Sequence, residues 1–306
     1  MARLTTKEAE KQILEMKPLV DYEQDREIMG HVTLLSEDFS TDIIDGLHYS
    51  ERRYRVGSGE EASVYIAILS PNAKAQLAVS ASPLRTIKRV KDHAAEFDRK
   101  VLFAMNAGFF HFFNDGDLTP YSIQVVHGVT MAEPGRDKPQ YCTYWVGLTK
   151  DGKPVISDID GYYNTYKGKL EYAVGGGVML IKDGKMHLHT HNARGPLSTV
   201  AIAKTGEIIF LNTDGRSTRS CGLCYGDVIE IVMSLGYEIQ DLLNLDGGGS
   251  TTVVIRNHDD TLSVRNVPGG PPFPVSYSKY GIEKPEPRGE EQVRGVADCL
   301  MVIEKE

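Results

Sequence analysis

Apolar residues in this chain come in short runs, broken again and again by Gly, Asn and Asp. After an Asp45-Gly46 turn, Leu47 to Val56 has weak strand character. Ser63 to Leu69 reads as a strand, closed by Pro71-Asn72. Ile87, Val90, Ala94, Phe97 and Val101 recur every three or four residues, which predicts an amphipathic helix over about 87–99 feeding a strand at 101–105. From 120 to 212 the pattern is mostly strands and tight turns, with hairpin signals at Asp151-Gly152, Asp183-Gly184 and Lys204-Thr205-Gly206. Val178–Ile181, Thr199–Ala203 and Glu207–Leu211 are apolar strands within it. Val228, Ile231, Val232 and Leu235 mark one face of a second helix, ended by Gly236. Apolar runs at Ile239–Leu245 and Val253–Ile255 follow. At the other end, Thr5 and Glu8 form a capping-box pattern ahead of a charged helix reaching about Met16, which Pro18 stops. Residues 1 to about 40 are polar and poorly patterned, so 1–44 is read as a helical N-terminal extension and 45–306 as one domain.

Composition narrows the class. The 306 residues are 41% hydrophobic and 25% charged, enough for a full globular core. A net charge of -8 argues against a general nucleic-acid or membrane-surface binder, and no run reaches the length of a membrane span. The first sixteen residues lack the apolar stretch of a secretory signal, and four cysteines are too few for a disulfide framework, so a cytoplasmic protein is expected.

The candidate chemistry collects where apolar strands stop. Asn244-Leu245-Asp246-Gly247-Gly248-Gly249-Ser250-Thr251-Thr252 delivers one carboxylate and then three glycines and three hydroxyls. Three glycines exceed the needs of a hairpin, and bare N–H groups beside a carboxylate can hold a phosphate or sugar oxygen. Asn106-Ala107-Gly108 closes the strand at 101–105, and Val174-Gly175-Gly176-Gly177 opens another. Asn212-Thr213-Asp214-Gly215-Arg216 places a carboxylate and a guanidinium after a third strand, with Arg194 just before a fourth. Each of these stretches also reads as an ordinary turn; it is their accumulation that points to a site. His187, His189 and His191 alternate along one strand, which spreads them too far for easy zinc binding, and His191 is the one nearest Arg194. Cys221 and Cys224 lack the setting of a redox or zinc pair and are read as free thiols. Asn114-Asp115-Gly116-Asp117, with Asp214 and Asp246, offers oxygens of the kind calcium or magnesium takes, but no spacing compels a metal.

In their order and approximate spacing these stretches resemble the phosphodiester glycosidase family: Asn106-Ala107-Gly108-Phe109-Phe110, Val174–Gly177, Arg194, Thr213–Arg216, Leu243–Ser250 and the tail Val293-Arg294-Gly295-Val296-Ala297-Asp298. Ala107 stands where the family has a second glycine, Gly-Pro follows Arg194 in place of Thr or Ser, and Cys224 replaces a hydroxyl cap. The resemblance implies an α+β fold, a twisted mixed β-sheet with packed helices and an active-site cleft at strand ends. It also implies cleavage of a sugar-1-phosphodiester at the anomeric carbon. In those terms Asp246 is the base or nucleophile, with Asp214 the only visible partner carboxylate. Arg194, Arg216 and Arg294 hold the phosphate, and Asn106, Ser250 and the backbone at Gly108, Gly176, Gly247 and Gly248 position the sugar, with His191 lining the same cleft. Two alternatives stay open: a phosphodiesterase or glycosidase for a cytoplasmic nucleotide-like ligand, and a non-catalytic protein that sequesters a sugar-phosphate or nucleotide. The expected partner is in every case a small sugar-phosphate or nucleotide-like molecule. Pro268 to Arg288 reads as a long loop covering the cleft.

Overall fold

The computed structural model describes residues 32–57, 59–82, 86–112, 118–135, 142–187, 193–268 and 293–305. Each hairpin signalled by a turn glycine forms. Met179–Lys182 folds back on Lys185–Met186 through Asp183 and Gly184, whose φ angles of 51° and 72° are the two left-handed residues of a tight hairpin loop. Tyr144–Thr149 pairs with Pro154–Asp158 across Asp151-Gly152, and Leu197–Ala203 pairs with Ile208–Thr213 across Lys204–Gly206.

These hairpins assemble into three main sheets in which all the strand pairings are antiparallel. The largest has eight strands in the order Thr33–Ile44, Leu47–Arg55, Glu61–Leu69, Ile208–Thr213, Leu197–Ala203, Ile239–Asn244, Met179–Lys182 and Lys185–Met186. One five-stranded sheet runs Leu262–Val264, Val253–Arg256, Val101–Asn106, Asp298–Glu304 and Ala75–Ala81. The other runs Pro154–Asp158, Tyr144–Thr149, Leu170–Gly175, Gln124–Val126 and Val129–Ala132.

The expected α+β architecture is therefore overturned. Among the described residues the α-helices are three and short, Val90–Glu96, the single turn Ile159–Gly161 and Tyr225–Ser234, joined by a π-helical turn at Tyr162–Tyr166 and a 3-10 turn at Gly248–Ser250. The helix expected over 87–99 is trimmed at both ends because Arg89 and Phe97 are extended. Within the expected helical extension, residues 33–44 are a strand at the edge of the eight-stranded sheet. The helix expected before Met16 lies outside the described residues.

Alternation along the strands splits the core. Tyr65, Ala67 and Leu69 face a large cluster that also takes Phe103, Val200, Phe210 and Leu300. Ile66 and Ile68 face the opposite side, where Val228, Ile229, Ile231 and Val232 of the Tyr225–Ser234 helix cover Ala201, Ile209 and Leu242. Phe103 and Phe210 meet at 5.1 Å between ring centres, locking a five-stranded sheet onto the eight-stranded one. The strand ends bearing Asn106, Leu197, Asn212 and Asn244 thus converge at one end of the layered body. No helix among the described residues is long and apolar enough to cross a membrane.

Candidate active site

At that end lies a cavity of about 500 Å³, walled by Arg194, Arg216, Arg294, Asp246, the Gly247–Gly249 backbone and the side chains of Phe109 and Tyr225. Asp246 follows the Ile239–Asn244 strand and is partly open to the cavity. Its Oδ1 accepts from Gly247 N at 2.9 Å, and Ser250 hydrogen-bonds to the same carboxyl. Burial pushes the acid up to about 6; the Ser250 bond, the charge of Arg294 and the Gly247 N–H oppose that push, and Asp298 adds to it. The carboxylate is thus ionised at neutral pH yet basic enough to take a proton near it.

The three arginines are not equivalent. Arg194 makes a fork to Asp227, Nε to Oδ2 at 3.0 Å and Nη2 to Oδ1 at 3.3 Å. Asp227 is fully buried at the third position of the Tyr225–Ser234 helix and also accepts the N–H of Cys224, the residue that caps that helix. Gly195 pairs with Leu223 through two backbone bonds, which brings Arg194 beside this cap. Arg294 lies near enough to Asp246 to stabilise its charge. Arg216 is exposed, has φ of 58°, and makes no ion pair or side-chain hydrogen bond among the described residues. Its guanidinium lies 3.3 Å from where a Cβ on Gly248 would sit, and Gly248 itself has φ of 62°. The left-handed φ favours glycine at 248, and a Cβ there would crowd the guanidinium.

Several expected ligand contacts prove to be internal. Gly247 N is used by Asp246, and Gly248 N donates to Pro196 O at 2.8 Å. Gly108 N donates to Asp298 Oδ1 at 2.6 Å, and a Cβ there would strike that carboxylate. Gly176 is glycine because Leu243 packs against it. Ser250 is buried and serves Asp246. Asn106 lies beneath the cavity wall, fully buried, its Nδ2 donating to Asp246 O at 2.5 Å.

Asp214 does not line the cavity. It is enclosed by Tyr65 Oη at 2.6 Å, Asn266 Nδ2 at 3.0 Å and Val267 N at 3.0 Å, all donating to it, and burial pushes it up to about 6. His191, the Asn114–Asp117 segment and most of the loop expected from Pro268 to Arg288 lie outside the described residues. Among the described residues no group of three or more His, Cys, Asp or Glu is placed to hold a metal ion. All four cysteines are free, with Cys224 at the helix cap.

Sequence reasoning assigned no role at the site to Asp227, Asp298 or Gln124. Asp298 accepts from Gly108 N and from Gln124 Nε2 at 2.5 Å, and burial raises it to about 6. The Cys224-to-Asp227 spacing signals a cap, but its second duty, holding Arg194, is invisible until the Gly195–Leu223 bridge is known. Tyr225 offered no signal beyond its place at the start of a helix.

Comparison with known proteins places the fold. The fold is similar to the catalytic domain of zebrafish N-acetylglucosamine-1-phosphodiester alpha-N-acetylglucosaminidase, auto-inhibited by its pro-peptide (TM-score 0.57, 17% identity, covering 95% of this chain and 96% of that one). It is also similar to a hypothetical protein from Synechocystis (TM-score 0.54, 16% identity, 90% and 68%). A protein from Burkholderia pseudomallei K96243 described as exported gives a TM-score of 0.55 at 11% identity, covering 94% and 98%. No curated protein matches the sequence. Residues 99–303, which hold Asn106, Asp246, Arg294 and every residue lining the cavity, match the phosphodiester glycosidase family, and the chain belongs to that family.

Proposed function

We propose that the protein hydrolyses the glycosidic bond of a sugar-1-phosphodiester, releasing a sugar and a phosphomonoester, with Asp246 as the reacting carboxylate. One juxtaposition supports this most. Asp246 is the one carboxylate on the cavity wall among the described residues, and it shares that wall with Arg216, whose charge no described carboxylate answers. Arg194 is satisfied by Asp227, and Arg294 acts on Asp246. One uncompensated cation beside one carboxylate suits a phosphodiester, which carries a single negative charge.

In this reaction the bond between the anomeric carbon and the bridging oxygen breaks, and its electron pair leaves on the phosphate. The oxygen of a water molecule ends on the carbon. A phosphomonoester is a weakly basic leaving group, so it departs without a proton donor and a second carboxylate is dispensable. Asp246 either takes the proton of the attacking water or attacks the carbon and is released by water; the anomer of the product separates the two. Arg216 holds the phosphate as charge builds on it. The zebrafish protein, alike in fold, is named for a substrate of this chemical class.

The test is to incubate the protein with methyl N-acetylglucosamine-1-phosphodiester and related sugar-1-phosphodiesters and analyse the products. Free sugar with methyl phosphate, abolished by Asp246→Asn, is the expected result. Sugar phosphate as the product would point instead to a phosphodiesterase, and ligand bound but recovered intact to a binding protein.

A further inference from the structure

We infer that Ser198 and Asn212, which do not touch the cavity, are positioning residues for Asp246 and act on it through Asn106. The inference rests on the reaction proposed above for Asp246.

The relay is directional, and the backbone fixes its direction. Asn106 Nδ2 donates to the Asp246 carbonyl at 2.5 Å, and Asn106 Oδ1 accepts from Thr252 N at 3.1 Å. A carbonyl can only accept and a backbone N–H can only donate, so the amide of Asn106 has one orientation. Ser198 Oγ, 2.8 Å from Asn106 Oδ1, must therefore donate to it. That spends the Ser198 proton, so Asn212 Nδ2, 2.8 Å from Ser198 Oγ, is the donor of the next bond. Among the described residues Asn212 Oδ1 has no partner, so the Ser198 bond alone fixes the orientation of this amide.

All three side chains are fully buried, and Ser198 and Asn212 face each other across two neighbouring strands of the eight-stranded sheet. Val200 and Phe210, the pair two residues along on the same face, are apolar and belong to the large core cluster. Burying three polar groups where apolar ones would pack is unfavourable unless their geometry is used. What they fix is the peptide of Asp246. Its carbonyl is held by Asn106, its N–H donates to Ala107 O at 2.8 Å, and Leu245 N donates to Ser198 O at 2.8 Å. A second buried pair, Gln124 and Asp298, grips the adjoining turn of Asn106 and Ala107 at Gly108. The carboxylate therefore hangs from a peptide bolted to two sheets, and its angle to the cavity follows from those bolts.

The test is a double-mutant cycle with sugar-1-phosphodiester turnover as readout. Ser198→Ala cuts the donor to Asn106, and kcat falls by roughly 10- to 100-fold while KM stays within about twofold. Asn212→Ala lowers kcat by less, about three- to tenfold, because the serine proton still reaches Asn106. The double variant is no slower than Ser198→Ala alone, since both act through one bond. Ser198→Thr keeps a hydroxyl and recovers most of the rate, and the acid limb of the kcat–pH profile moves in Ser198→Ala but not in Ser198→Thr. Unchanged kcat in a folded Ser198→Ala variant, or losses that multiply independently in the double variant, would overturn the relay. If the wild-type protein cleaves no sugar-1-phosphodiester, the functional reading fails by itself. The relay is then read from the carboxyl carbon resonance of Asp246 titrated by NMR, where a midpoint unmoved by Ser198→Ala overturns it.

Discussion

Asp214 and Asp246 begin alike. Each follows a strand of the same sheet, each precedes a glycine, and burial pushes each up to about 6. They differ in what is left over. Asp214 receives a phenol, an amide and a backbone N–H, and lines no cavity. Asp246 receives Gly247 N and Ser250 and keeps a face toward the cavity. A displaced ionisation therefore does not separate the acid proposed to react from a structural one; the separation here is the face Asp246 keeps toward open space.

The comparison can be broken in four ways. The largest expected effect is on turnover: Asp246→Asn lowers kcat for a sugar-1-phosphodiester by about 10³-fold or more, while Asp214→Asn, corrected for folded fraction, stays within about threefold. Comparable losses in both would place them in one reacting pair. Next comes anion binding. Arg216→Ala raises KM for the phosphodiester by roughly 10- to 100-fold and weakens competition by inorganic phosphate, whereas Arg194→Lys, which loses the fork to Asp227, also lowers the unfolding midpoint. Equal phosphate inhibition of wild type and the Arg216 variant would remove that cation from the site.

Stability gives the third contrast. Asp214→Asn replaces an oxygen acceptor by an amide NH2 donor among three donors and costs about 1–3 kcal/mol in denaturant unfolding. No loss there would mean that Asp214 is not the fastening it looks to be. The smallest effect is a pH dependence. An aspartate titrates near 3.9 when unfolded, and Asp246 is raised to about 6 in the folded protein. Its contribution to stability is thus fully present below about pH 4 and is lost as pH rises through about 6. Asp246→Asn is freed from that loss. Relative to wild type it gains nothing near pH 4 and on the order of 1 kcal/mol by pH 7, a figure reduced because the side chain is partly exposed. A gap between the two that does not grow over this range would contradict the raised ionisation.

What the sequence disclosed, and what it hid, follows from range. Turn glycines act locally, so the Asp183-Gly184 and Asp151-Gly152 hairpins were readable, as was the Asp246 loop. The edge strand Thr33–Ile44 was missed because every residue of it is exposed or half-exposed, which erases the alternation that marks a strand with one buried face. The fate of Asp214 was hidden because its partners, Tyr65 and Asn266, stand 149 and 52 residues away. Nor could the strand-end glycines reveal whether they make room for a ligand or for Asp298, Leu243 and Pro196. The arginines were found, but their ranking by available charge depends on Asp227, which only the Gly195–Leu223 bridge brings near.

Arg216 sits at φ of 58°, a backbone setting that side chains other than glycine, asparagine and aspartate seldom take. Evolution toward heat tolerance, left to itself, would swap this arginine for glycine or asparagine and gain up to about 1 kcal/mol. The same swap would empty the hollow of its spare positive charge. A library selected only for resistance to heating should therefore lose Arg216 early, and its survivors should bind sugar phosphates poorly.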